Sequence, residues 1–207
     1  MIRLYRLALS TNVERVTLAL AYKGLQVESV EVPYEDRSEV VRVSGQELVP
    51  VIQDGPRVVI DSMVIVRYLE ETYPDAPRLF PSDPARRAEV DVFIDWFNRV
   101  WKRPPNAITI ELEKPEGQHD AVALAKWEAE MRGSLDQFET MLTGRDHLMG
   151  EFGAADVAAF PFLKYAVIPE FSDRYLFHTV LSRYLKIGDR YPRLAAWIAR
   201  VDRRPRA

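Results

Sequence analysis

Cysteine is absent from all 207 residues of the chain, which excludes disulfides, thiolate zinc sites, iron–sulfur clusters and Cys-x-x-Cys redox chemistry. Any sulfur chemistry must use sulfur that arrives with a substrate. Histidine is scarce: His119, His147 and His178 lie far apart without accompanying carboxylate patterns, so no metal site and no Ser-His-Asp arrangement is expected. Each reads as a surface or helix-end residue. No apolar run approaches the ~20 residues a membrane span needs, and Met1-Ile2-Arg3-Leu4 lacks the basic end and apolar stretch of a signal peptide. A cytoplasmic protein with no membrane partner is expected. Nor is one sign of charge in excess. With 28 basic and 31 acidic residues the net charge is -3, no global field draws a phosphate backbone, and nucleic acid is not an expected partner.

What is present is a 47% hydrophobic composition, sufficient for one large domain or two small ones. The segment Ile2 to Leu7 is strand-like, and Ser10-Thr11-Asn12 offers caps for an amphipathic helix carrying Val13, Val16, Leu18 and Leu20. Lys23-Gly24 ends that helix, and Val27, Val30 and Val32 form a second strand before Pro33. A strand-helix-strand unit of this length implies a parallel, right-handed crossover. Ser38 is a cap for a short helix with Val40, Val41 and Val43. Leu48 to Gln53 and Arg57 to Ile60 then read as a hairpin around Asp54-Gly55-Pro56. Asp61-Ser62 caps a helix through Leu69 that Pro74 stops. The order β-α-β-α-β-β-α is the thioredoxin-like arrangement, and it assigns residues 1–76 to a first domain.

Pro74, Pro77, Pro81 and Pro84 then crowd a stretch that cannot continue a helix, which puts a linker at about residues 75–83 and a second domain at 84–207. Asp83-Pro84 opens a helix with Val90, Phe93, Ile94, Phe97 and Trp101 at helical spacing. A second long helix follows Pro115, carrying Leu124, Trp127, Met131, Leu135, Phe138 and Leu142. Others begin near Ala154, near Arg174 and after Pro192. The second half is expected to be all-helical. Phe93, Phe97 and Trp101 form a stripe that suits a core or an interface, while Trp96 lies off it.

Four local signals in this order resemble the cytosolic glutathione transferase superfamily along essentially the entire chain. Ser10-Thr11-Asn12-Val13-Glu14-Arg15-Val16 resembles its serine-type loop and first helix, and Leu48-Val49-Pro50-Val51-Ile52 its Val-Pro-Val-Leu strand with a cis proline. Asp61-Ser62 with Ile65, Tyr68 and Leu69 resembles its Glu-Ser helix start, and Met149 to Asp156 the capping box of the buried helix in its second domain. The resemblance implies glutathione as co-substrate, no metal, and a small apolar electrophile as second substrate. It implies that Ser10, Thr11 or Asn12 donates to the glutathione sulfur, with Ser10 the candidate catalytic residue. It also implies that the Val49 backbone next to Pro50 pairs with the cysteinyl backbone, and that Ser62 and Asp61 take the γ-glutamyl end. Trp96 is the candidate for an electrophile pocket between the domains.

These residues also have readings independent of kinship. Ser10 or Asn12 suits a plain helix cap, Pro50 an edge strand with a trans proline, and Asp61-Ser62 a purely structural cap. Asp156 reads as structural, felt by function only through stability. Four positions depart from the family pattern: Thr11 stands where proline is common, Asp61 replaces glutamate, Gly153 replaces a capping Ser or Thr, and Leu48 occupies a place often polar. Gln46 is the neighbour that could supply the missing polar group. Glutathione conjugation is the leading expectation, with isomerase, dehalogenase or peroxidase chemistry close to it. A noncatalytic binding or carrier protein is the alternative. The family is usually dimeric, and the two long helices carry a surplus of large apolar side chains. Part of the Phe93, Phe97, Trp101 and Met131 surface is therefore expected between the subunits of a homodimer.

Overall fold

The computed structural model describes residues 1–169 and 175–207, which divide into two compact units. Unit 1 is Met1–Ser82 with Arg204–Ala207, and unit 2 is Asp83–Arg203.

The elements of unit 1 are β1 (Ile2–Arg6), α1 (Thr11–Tyr22), β2 (Val27–Glu31), α2 (Ser38–Ser44), β3 (Val51–Asp54), β4 (Arg57–Ile60) and α3 (Ser62–Thr72). Their four strands make one sheet in the order β2-β1-β3-β4, with β2 parallel to β1 and the other pairs antiparallel. The element order is the expected β-α-β-α-β-β-α. Register pairs Leu4 with Ile52 and Tyr5 with Val51, all four are buried, and strand alternation sends the two pairs to opposite faces. Tyr5 and Val51 cluster with Val32 and Val40 under α2, which leaves Leu4 and Ile52 to the side where α1 and α3 pack together.

Two local readings change. The ladder of β3 starts at Val51 rather than Leu48, because Pro50 has no N–H to donate. Ser38 is the first helical residue of α2 rather than its cap; its hydroxyl and N–H bond Asp36, holding that carboxyl below the usual range.

The proline-rich stretch read as a linker is bonded into unit 1. Lys23 at the end of α1 places Nζ 3.0 Å from Glu70 Oε2 and 3.1 Å from the Pro77 carbonyl, and the Leu79 N–H donates to the same Glu70 oxygen at 3.0 Å. Lys23, Glu70, Leu79 and Phe80 are all buried. Each charge of the pair has a partner, without which burial would cost several kcal/mol. Residues 204–207 also pack on unit 1, although the sequence assigned them to the helical domain.

Unit 2 contains α4 (Pro84–Trp96), a π-helical turn (Phe97–Trp101), α5 (Arg103–Leu112), α6 (Ala121–Met141), α7 (Ala154–Leu163), α8 (Leu176–Tyr184) and α9 (Pro192–Asp202). No strand occurs there among the described residues. The helix α5 was not anticipated. Pro104 and Pro105 look like breakers, yet they occupy a first turn, where a missing N–H leaves no bond unmade. The second long helix starts at Ala121, where Asp120 Oδ1 accepts two N–H bonds, and not directly after Pro115. Arg174, the expected start of the fourth helix, lies outside the described residues.

Phe97 and Trp101 stack at 4.4 Å and meet Phe138 and Phe162 edge-on, while Trp101 Nε1 donates to Ser134 Oγ at 2.8 Å. Phe93, Phe97, Trp101 and Met131 are thus buried inside a single chain, which removes them as a subunit interface. Two of the three histidines are buried rather than on the surface. His147 Nδ1 lies 3.6 Å from Asp156 Oδ1, and His178, in the first turn of α8, stacks on Tyr165.

Asp156 is fully buried at the start of α7 and accepts from the Leu148 N–H at 3.1 Å, the Gly153 N–H at 3.0 Å and Trp197 Nε1 at 2.7 Å. Gly153 has no side chain, so Asp156 supplies the one side-chain half of that capping box. Asp156→Ala would strand three donors, two of them buried, and is expected to lower the unfolding free energy by about 3 kcal/mol or more, read from urea unfolding curves. A loss under about 1 kcal/mol would contradict a structural role for this carboxylate.

Candidate functional site

The first component of the site is the start of α1. Leu9 takes φ 67°, Ser10 becomes the N-cap, and its Oγ accepts the Val13 N–H at 3.3 Å. Accepting a bond leaves the Ser10 O–H proton available to donate. Thr11 is buried, and Asn12 Oδ1 accepts from Arg15 Nη1 at 3.4 Å. Of the three neighbouring candidates, Ser10 therefore combines a partly exposed hydroxyl with a helix N-terminus.

The second component is the loop entering β3, where the Val49–Pro50 peptide is cis. Leu48 is 76% exposed. Gln46 does not stretch outward beside it: Nε2 donates to the Leu48 carbonyl at 2.6 Å and Oε1 accepts the Leu48 N–H at 2.7 Å. The amide is spent on shaping the loop. Arg37 and Arg42 line an open depression of about 700 Å³ together with Tyr34, Ser38 and Glu47 of the same region. Sequence patterning had not singled out either arginine, since both sit in an ordinary polar stretch.

The third component is the start of α3. Asp61 adopts φ 68°, a left-handed conformation unusual for a residue other than glycine, and its Oδ1 accepts the Met63 and Val64 N–H groups at 2.9 and 3.1 Å. Ser62 is buried, and its Oγ accepts from Arg15 Nη1 at 3.2 Å. Arg15 was also missed as a site residue. Its signal was a cation on the apolar face of α1 between Val13 and Val16, a position where a structural reading predicts a hydrophobic side chain. Burial pushes the Arg15 guanidinium down to about 9, while the Asp61 charge works in the opposite direction. It stays a cation at neutral pH, and the arrangement ties the starts of α1 and α3 into one polar cluster of Ser10, Asn12, Arg15, Asp61 and Ser62.

Trp96 lies in unit 2, its ring 5.8 Å from Phe93 and 5.9 Å from Phe138. With Val92, Phe93, Met141 and Met149 it lines an open, mostly apolar depression of about 280 Å³, with Glu89 and Gln137 at its polar margin. Val92 on the same helix is 69% exposed. Among the described residues no group of histidines and carboxylates could hold a metal ion, and no helix is long and apolar enough to cross a membrane.

Both units are similar to known proteins. Residues 4–77 match the glutathione S-transferase N-terminal domain, and residues 121–200 match the glutathione S-transferase C-terminal domain. Glutathione S-transferase GstB of Escherichia coli strain K12 is 30% identical over 169 residues, which span 74% of this chain and 77% of GstB. FtsZ-localized protein A of Caulobacter vibrioides is 30% identical over 182 residues, spanning 82% and 78% of the two chains. The solved structure of rice GST1 in complex with glutathione superposes with a TM-score of 0.77 at 25% identity, covering 98% of this chain and 86% of the rice protein. An α/β unit with these helix starts, followed by an all-helical one, defines a two-domain protein of the glutathione transferase type. The chain belongs to the cytosolic glutathione S-transferase superfamily.

Asp61 joins an unusual backbone conformation to a double cap. Asp61→Ala is expected to destabilise the protein by about 2 kcal/mol, because it removes the cap and keeps the positive φ. Asp61→Asn, which can do both, is expected to cost less than about 1 kcal/mol. Denaturant unfolding of the two variants checks this. Equal losses would mean that the carboxylate charge, acting on Arg15, matters more than the cap.

Proposed function

We propose that the chain binds glutathione in unit 1 and transfers its thiolate sulfur to a small apolar electrophile, with Ser10 as the hydrogen-bond donor to that sulfur. The observation that carries the reading is the position of Ser10, at the N-cap of α1 with its O–H proton uncommitted to Val13. A thiol with the reference pKa of ~8.5 is only a few per cent ionised at pH 7, and the thiolate is the nucleophile. A hydroxyl donor and the positive end of a helix both favour the anion. A shift of ~2 units takes only ~2.7 kcal/mol, which two such contributions can supply. The thiolate then forms a carbon–sulfur bond at the electrophilic carbon as the leaving group departs with its electron pair.

The remaining contacts follow from complementarity. Ser62 and the N–H groups at the start of α3 suit the γ-glutamyl carboxylate, and Asp61 suits the α-ammonium. The Val49 backbone is assigned to the cysteinyl amide, in the manner of an added strand. Arg37 and Arg42 are the cations in the region of Leu48 that suit the glycyl carboxylate. The electrophile is assigned to the depression lined by Trp96.

A second reading has observations of its own. Leu48 is exposed and Gln46 is turned into its own loop, so two positions expected to offer polar contacts offer none through their side chains. FtsZ-localized protein A, at comparable similarity, is named for a location rather than a transfer reaction. On this reading the chain binds glutathione or a partner without turnover.

Calorimetry at millimolar glutathione is expected to give binding heat that Ser62→Ala weakens. Ser10→Ala is expected to lower kcat on the order of 100-fold toward a chlorinated aromatic and to move the pH–rate profile upward, since less thiolate is present near neutrality. Binding without turnover selects the carrier reading. No heat at that concentration removes both readings that invoke glutathione.

A homodimer is proposed as well, through a surface other than the buried aromatic stripe and the Trp96 depression assigned to the electrophile. Light scattering at micromolar concentration is expected to give about twice 23.9 kDa. A mass near one chain overturns the dimer.

A further inference from the structure

Glu14 stands in the first turn of α1, four residues beyond Ser10, with its side chain 15% exposed. A carboxylate in that position lies at the positive end of the helix, the same end that would act on a sulfur beside Ser10. Unbalanced, its charge would cancel part of the potential offered to an anion. It is balanced by a residue from the opposite end of the sequence. Arg206 donates to Glu14 Oε1 from Nη2 at 2.9 Å and from Nε at 3.3 Å.

The segment that delivers Arg206 is fixed along its length. The Ala207 N–H donates to the Thr17 carbonyl at 3.1 Å, and Arg6 Nη1 donates to the Ala207 carbonyl at 3.3 Å. The Arg204 guanidinium lies over the Tyr22 ring at 5.6 Å, and Arg206 Nη1 donates to the Arg204 carbonyl at 2.5 Å. Two of these contacts, to Thr17 and Tyr22, are made to α1 itself, as is the Arg206–Glu14 pair. The other charged groups around this helix have different partners. Arg15 bonds Ser62 and feels Asp61, Arg6 on β1 pairs with Glu31, and Lys23 at the far end pairs with Glu70.

We infer that Arg206 is a positioning residue for the thiolate: by holding Glu14 in a neutral pair, it keeps the N-terminal field of α1 available to sulfur next to Ser10. This rests on the thiolate chemistry proposed above. Arg206 touches neither substrate nor sulfur. Its contribution is electrostatic and passes through one carboxylate.

Because the chain has no cysteine, Ser10→Cys places a single reporter thiol at the helix start, and the pH dependence of its alkylation by iodoacetamide reads its pKa without glutathione. Adding Arg206→Ala is expected to raise that pKa by about half a unit, a roughly threefold loss of thiolate near neutrality. Adding Glu14→Gln as well is expected to restore the starting value. Arg206→Gln, which keeps the stem and removes the charge, is expected to match Arg206→Ala, and melting curves identify any variant that fails to fold. An unchanged pKa in both Arg206 variants overturns the inference. So does a rise that persists when Glu14 is neutral, because the effect would then not pass through this carboxylate. Glutathione calorimetry on the unmodified chain is read separately: absence of heat removes the transferase reading, and the reporter titration still decides whether Arg206 sets the field.

Discussion

A guanidinium inside a small α/β unit must be solvated by the protein in place of water, and the placement of Arg15 is the constraint on which unit 1 turns. Its donors reach Asn12 on its own helix and Ser62 on α3, and the Asp61 charge opposes the cost of desolvation. Two helix starts that are 47 residues apart in sequence are thereby tied to one cation. A hydrophobic residue at that position could fill the volume, but it would leave the Ser62 hydroxyl without this donor. Local geometry around Asp61 follows the same logic, since its positive φ brings Oδ1 onto the Met63 and Val64 N–H groups.

The same solution recurs where function is not at stake. Glu70 gathers Lys23 and the Leu79 N–H, and Asp156 gathers two backbone N–H groups and an indole. In each case one carboxylate joins segments that are distant in sequence, and burial excludes the water that would compete for the bonds. Such groups hold the framework of their own unit, so a substitution far from Ser10, Val49 or Ser62 can act through the scaffold alone.

How much of this was legible in the sequence depended on whether a signal was local. Strand alternation, the Asp54-Gly55 turn, Asp83-Pro84 and the Asp61-Ser62 cap each act within a few residues, and the element order of the first unit and most helices of the second could be read from such signals. The Ser10 cap was legible for the same reason. Tertiary contacts were not. Arg15 stood as a cation on an apolar face and Lys23 as a plain helix-ending cation until their hydroxyl and carboxylate partners arrived from α3. The helix α5 was not read because nothing local distinguishes a first helical turn at Pro104-Pro105 from an interior one. Leu48 looked like part of a strand although the proline two residues on prevents the ladder from reaching it. Residues 204–207 were assigned to the helical domain because Glu14, Thr17 and Arg6, which hold them, lie near the start of the chain.

The π-helical turn at Phe97–Trp101 separates two helices that would otherwise be a single rod. A turn of this kind accommodates one residue more than an α-helical turn. Each residue of an α-helix advances the side-chain direction by about 100°, so removing one residue from this turn would swing every side chain of α5 by that angle relative to α4. Ile108, now buried, would leave its pocket, while exposed Ile110 would be carried toward a different neighbour. The turn therefore acts as a phase adjustment between two apolar stripes. It allows the Trp96 face of α4 and the buried face of α5 to vary in sequence independently, because neither has to continue the periodicity of the other.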